Sequence, residues 1–123
     1  VALTCKTVSA AKFGNAIGGL NVPTISKDNK LVTIINVFIV EPANQQQLLE
    51  LLARATETSV RHAKGFVSAS LHRGLDGTQV TMYAQWLSTD DYQAMRKTPT
   101  PYLKEALSIA TFKPGMYEVY ETF

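Results

Sequence analysis

Five residues, Met82-Tyr83-Ala84-Gln85-Trp86, carry the only tryptophan of the chain at the end of a strand-like run. An indole placed there either anchors a core or lines a pocket for a flat ligand, since it offers a large apolar face and one N–H donor. Along an extended strand, Val80, Met82, Ala84 and Trp86 share one face, and Thr81, Tyr83 and Gln85 share the other. Asn36 is the second candidate, the one amide in the apolar run LVTIINVFIV at 31–40. A buried amide needs a hydrogen-bond partner, so Asn36 is either structural or the polar anchor of a ligand. His72 beside Arg73 is the third, either a site group or a solvated or interface pair. Met82 reads as pocket lining or core, where a flexible thioether fills irregular space.

Other chemistries find less support. Ser68 and Ser70 have no visible His and Asp partner set, which argues against a serine hydrolase. His62 and His72 form no HxH, HxxxH or HExxH pattern, so no metal is expected. Cys5 is the only cysteine; it cannot close an internal disulfide and gives no zinc spacing. A lone thiol fits a reducing compartment, and a cytoplasmic protein is expected. The net charge is only +2, and the basic residues are scattered without interleaved aromatics, so nucleic acid is not an expected partner. No apolar run approaches the ~20 residues of a membrane span. Residues 1–20 lack a basic start and a continuous apolar stretch and do not read as a signal peptide.

The elements that must position these residues follow from pattern. Residues 1–30 are weakly patterned, with Gly14, Gly18, Gly19 and Pro23, and are expected to be an arm or an extra edge strand. Residues 31–40 form a strand apolar on both faces. Asn44 and Gln47 resemble a capping box. Leu48, Leu51, Leu52, Ala55, Ser59 and Ala63 recur at helical spacing through about His62. Residues 66–75 and 79–88 are two strands, joined at Asp76-Gly77, a dipeptide preferred in tight primed turns. Parity puts Phe66, Ser68, Ser70 and His72 on one face of the first of these. Thr89, Asp90 and Asp91 open a second helix, where acidic groups suit the helix dipole. Thr98-Pro99-Thr100-Pro101 interrupts it, residues 102–110 are helical again, and 111–123 form a last strand with a turn or bulge at Pro114-Gly115.

The order βαββαβ is that of a ferredoxin-like α+β fold, an antiparallel sheet with helices on one face. The opposite face is apolar as well, so a homodimer with packed sheets is expected. A chain of 123 residues suffices for one domain with one core, here placed at 31–123.

Residues 32–123 resemble the antibiotic biosynthesis monooxygenase domain, a family of dimeric α+β barrels. The resemblance is carried by Ile35-Asn36-Val37-Phe38, Glu41-Pro42, Gly65-Phe66-Val67-Ser68-Ala69 and the run from Leu71-His72-Arg73 to Gly77-Thr78. It continues in Tyr83-Ala84-Gln85-Trp86 and in the run from Phe112-Lys113-Pro114 to Glu118-Val119. It implies an oxygenase that uses no metal, flavin or haem and converts planar phenols such as anthrones to quinones with O2. It places Trp86, Asn36 and Tyr92 as catalytic residues, with Met82, His72, Phe38 and Phe66 binding the flat aromatic substrate. Quinone-forming members have asparagine where this chain has Met82. Haem-degrading relatives need a histidine about ten residues after the tryptophan, and Met95, Arg96 and Lys97 stand there instead. The alternatives are a non-catalytic binding module of the same fold and a polyketide isomerase or cyclase.

Overall fold

The computed structural model describes residues 22–123. Residues 1–21 of the expected arm lie outside the described residues. The central strand is β1, Val32–Val40, built almost wholly from β-branched residues, whose stiff side chains favour extended backbone. Ile34, Asn36, Phe38 and Val40 are buried beneath the helices. On the opposite face Thr33 is buried, but Ile35 and Val37 are only half-buried and Ile39 is 46% exposed. Within one chain, then, the strand expected to be buried on both faces is well covered on one. All three helices pack on that one side of the sheet.

A 3-10 turn, Pro42–Asn44, leads into helix α1, Gln45–Thr58, which buries Leu48, Leu52 and Ala55. The expected cap by Asn44 does not form. Its backbone is already helical, at φ −106° and ψ 0°, and its side chain bonds to no helical N–H. A capping residue needs extended geometry to reach forward. Gln45 does the anchoring instead: its Nε2 donates to the carbonyls of Gly74 at 2.9 Å and Gln79 at 3.0 Å. The α-helix ends at Thr58, short of the expected His62, and a second 3-10 turn, Val60–His62, completes the segment. Gly65 follows at φ +86°.

Strands β2, Phe66–Arg73, and β3, Gln79–Trp86, form the hairpin. Its link is the longer loop 74–78 rather than a two-residue primed turn. Gly74 N–H donates to Gln79 O at 2.8 Å, and Gly77 N–H returns to Gly74 O at 3.1 Å. The Asp76 carboxylate accepts from the Thr78 N–H at 2.9 Å, and that bond holds its pKa below the usual carboxylate value. Helix α2, Thr89–Arg96, is capped by Ser88, whose hydroxyl accepts from Asp91 N–H. Helix α3, Pro101–Ile109, is capped by Thr100 and has proline in its first turn, where no donor is lost.

The last strand is split into β4, Ala110–Lys113, and β5, Met116–Tyr117, and no strand continues to Phe123. Both pieces pair with β1. Val37 faces Lys113 before the break, and Ile34 faces Met116 after it, so no residue is gained or lost across Pro114-Gly115. The break is therefore neither a turn nor a bulge. The fixed φ of proline, near −65°, bends a strand whose neighbours prefer about −140°.

The sheet order is β2-β3-β1-β4, with β5 also on β1, all antiparallel, which is the ferredoxin-like arrangement. The sheet is open and does not close on itself within one chain. One core cluster joins Phe38, Val40, Leu48, Leu52, Val80 and Ala106; the other joins Ile34, Ala84, Trp86 and Tyr92. On the far face, Ser68 donates to Gln85 Oε1 at 2.6 Å, and Gln85 Nε2 donates to Thr24 O at 2.9 Å. These bonds satisfy two buried polar side chains and tie residues 22–30 to the sheet, aided by the Lys27–Glu121 ion pair at 2.9 Å.

Candidate active site

A cavity of about 240 Å³ lies between the sheet and the helices. Its floor is the sheet face set by side-chain alternation: Ile34, Asn36 and Phe38 from β1, and Met82, Ala84 and Trp86 from β3. Its walls come from Leu52 and Ala55 of α1, Tyr92, Met95 and Arg96 of α2, Leu103 and Leu107 of α3, and Phe112 of β4. The lining is mostly apolar with few polar groups, the usual character of a small-molecule site.

Trp86 is 1% exposed and sits edge-on between two rings, Phe66 at 5.5 Å and Tyr92 at 5.6 Å between centroids. Tyr92 is delivered by the first turns of α2, whose start is fixed by the Ser88 cap. Asn36 donates from Nδ2 to Tyr92 Oη at 3.3 Å. Its Oδ1 has no partner and is the one fully enclosed side-chain polar atom among the described residues left in that state. Leaving a buried acceptor unsatisfied costs roughly 1–3 kcal/mol, so this carbonyl is poised to accept from a ligand. Met82 is the direct cross-strand neighbour of Asn36.

Trp86, Asn36, Tyr92, Met82 and Phe38 are thus brought to one cavity. Phe66 and His72 are not placed as parity suggested. A β-bulge between Phe66 and Ser68 sets Phe66 opposite Trp86 but Ser68 opposite Gln85, shifting the face by one residue. Phe66 consequently lies against Trp86 as a backing ring, outside the lining. Ser68, Ser70 and His72 fall on the opposite face of the sheet. His72 is exposed there, with Nε2 2.9 Å from Ser70 Oγ, away from the cavity that holds the other expected site residues. Of the helix-borne wall only Tyr92 was expected, and the part of α2 beyond it was missed. Its signal was Tyr92 with Met95 and Arg96, spaced three and four residues on and therefore on one helix face.

Among the described residues, no group of three or more His, Cys, Asp or Glu side chains could hold a metal ion. No helix among them is long and apolar enough to cross a membrane. The cavity can enclose a flat aromatic body. It can accept from a phenolic O–H at Asn36 Oδ1 and donate from Tyr92, whose oxygen already accepts from Asn36 and whose proton is therefore free to point elsewhere.

Residues 31–104 match the model of the antibiotic biosynthesis monooxygenase family, and the chain belongs to that family. It is 42% identical over 102 residues to tetracenomycin-F1 monooxygenase of Streptomyces glaucescens, covering 81% of this chain and 91% of that protein. Among solved structures it resembles a monooxygenase from the gene ActVA-Orf6 of Streptomyces coelicolor in complex with nanaomycin D. That likeness has a TM-score of 0.64 and 30% identity over 78% of this chain and 94% of the other. The fold is also that of SnoaB, a cofactor-independent oxygenase from Streptomyces nogalater, with a TM-score of 0.65 and 24% identity over 76% and 96% of the two chains.

Proposed function

We propose that the protein is a cofactor-independent monooxygenase that uses O2 to oxidise a planar phenolic, polyketide-like substrate to a quinone. The observation that carries this reading is the unpartnered Asn36 Oδ1, paired through its amide to Tyr92 in an otherwise apolar cavity. The family, and the named substrate of the Streptomyces glaucescens relative, support it.

An anthrone-type methylene is acidified by its flanking rings and carbonyl. Loss of a proton leaves a delocalised carbanion that itself passes electrons to O2. Carbon–oxygen bond formation gives a hydroperoxide, and loss of water gives the carbonyl. Overall, CH2 and O2 become C=O and H2O, and the second oxygen atom leaves as water. Asn36 Oδ1 accepts from a substrate phenol and fixes its orientation. Tyr92 donates to the oxygen on which charge grows, where one well-placed donor is worth roughly 2.7–4 kcal/mol. Trp86 supplies a flat wall, and the apolar lining keeps bulk water from the carbanion.

The working unit in this proposal is a homodimer in the cytoplasm, a setting that suits a sequence with a lone cysteine. The open sheet face supports the dimer: Ile35 and Val37 are only half-buried there and Ile39 is 46% exposed, an apolar strip that a second copy of the sheet would cover. Light scattering at micromolar concentration should give twice the chain mass, and a monomer would refute the assembly. Activity is tested on an oxygen electrode with chelator-treated protein and an anthrone. Uptake dependent on protein and substrate is expected. Ligand binding without uptake would favour a second reading, a module that holds its ligand unoxidised. Met82, apolar where quinone-forming members carry an amide, is the residue that favours that reading.

A further inference from the structure

The cavity has a charged mouth as well as a polar inner end. Arg96 is the only charged residue in its lining. It stands in the last turn of α2, four residues after Tyr92 and so on the same helix face. Its guanidinium lies 5.2 Å from the Phe112 ring centre and 5.8 Å from that of Tyr92. Two aromatic faces thus fix a cation whose own residue is exposed. Among the described residues the one ion pair is Lys27–Glu121, and Arg96 has no carboxylate partner. Asn36 is at the opposite extreme, buried and short of a donor.

We infer that Arg96 selects substrates carrying a carboxylate, so that the ligand class is a planar phenolic acid rather than a neutral phenol. The aromatic body fills the apolar cavity, a phenolic O–H meets Asn36, and the carboxylate emerges at the mouth against the guanidinium. Arginine suits this role because its planar fork binds both carboxylate oxygens, and because two nearby rings hold it in place at little further entropic cost. The inference rests on the aromatic-ligand reading above and deepens it.

The test is binding, which separates it from turnover. Trp86 is the only indole, so quenching of its fluorescence reports occupancy directly. The probes are 6-hydroxy-2-naphthoic acid, whose hydroxyl and carboxylate stand at opposite ends of the fused rings, and its methyl ester. Wild type should bind the acid on the order of tenfold more tightly than the ester, the scale of one charge-assisted hydrogen bond near solvent. Arg96→Met keeps the apolar stem and removes the charge; it should abolish the preference while ester affinity stays within about twofold. Arg96→Lys should restore part of the preference, and added salt should weaken acid binding alone. Equal affinity of wild type for acid and ester overturns the inference. So does equal loss of both ligands in Arg96→Met, which would make Arg96 a packing residue. Ester binding intact without acid preference leaves the oxygenase reading standing and removes only the carboxylate. Binding of neither probe refutes the aromatic pocket itself, and the inference with it.

Discussion

Replacing Asn36 with leucine should make the protein more stable and less active. The wild-type amide leaves Oδ1 buried without a partner, at a cost of roughly 1–3 kcal/mol. In return it makes one long hydrogen bond, 3.3 Å to Tyr92, and a neutral bond of this kind contributes about 0.5–1.5 kcal/mol. Leucine has the same branched shape and a larger volume that extends into the adjoining cavity; it removes the orphaned acceptor and adds apolar surface beside Ile34, Phe38 and Met82. It also leaves the Tyr92 hydroxyl without its donor. The balance favours Asn36→Leu by on the order of 1 kcal/mol, which raises Tm by about 3–6 °C for a chain of this size. Activity should move the other way. The hydrogen bond that Asn36 accepts from a neutral phenol is worth about 0.5–1.5 kcal/mol, or roughly two- to tenfold in rate. Calorimetry and oxygen uptake at saturating anthrone, measured on the same preparation, give both signs. A variant that melts earlier than wild type would show that Oδ1 is already satisfied in solution. A stable variant with unchanged oxygen uptake would remove Asn36 from the chemistry.

Met82→Asn places an amide directly across from Asn36, with Cβ atoms about 4.5–5.5 Å apart. It should lower stability by roughly 1–3 kcal/mol through lost apolar burial and raise anthrone oxidation, up to about a hundredfold, by adding a donor to the developing oxyanion; a folded variant with no gain in oxygen uptake removes the case for a donor at this position. Trp86→Ala should cost about 3–5 kcal/mol, because it opens a void between Phe66 and Tyr92; a urea midpoint near that of wild type would contradict the edge-on packing. Gly65→Ala should cost at least 1–2 kcal/mol, since φ is +86° and a Cβ there would run into the Asp91 side chain. Thermal unfolding checks this, and an unshifted midpoint would mean that the link from α1 to β2 relaxes freely.

The strands and helices were legible because their signals are local. The β-branched run at 32–40, the leucine spacing of α1 and the prolines Pro99 and Pro101 at the entry to α3 each act within a few residues. The core of the site was legible for the same reason: Asn36, Met82 and Trp86 share a face by simple alternation. What alternation could not give was the bulge at Val67. One extra residue sends Phe66 to the cavity side and His72 away from it, and nothing in Gly65-Phe66-Val67-Ser68 announces the insertion. The cap of α1 misled for a different reason. Asn44 has the right side chain, but Pro42 drives the chain into a 3-10 turn that leaves Asn44 helical. The guanidinium at the mouth was hidden because its role depends on Phe112, distant in sequence and delivered by another strand.

Pro114 also bears on how molecules of this protein meet one another. Ile35 N–H bonds to Gly115 O at 3.0 Å, so residues 35 and 115 form a hydrogen-bonded pair. In an antiparallel ladder the next pair, 36 with 114, is the non-bonded kind, and the nitrogen of residue 114 points away from β1. The proline thus removes no bond inside the sheet. It removes the donor on the outer margin, where another chain's strand would otherwise add, and it bends that margin out of line. Polymerisation through this rim, the route by which open sheets grow into fibres, is obstructed there by a single ring, while the strip of Ile35, Val37 and Ile39 on the sheet face is left as it was.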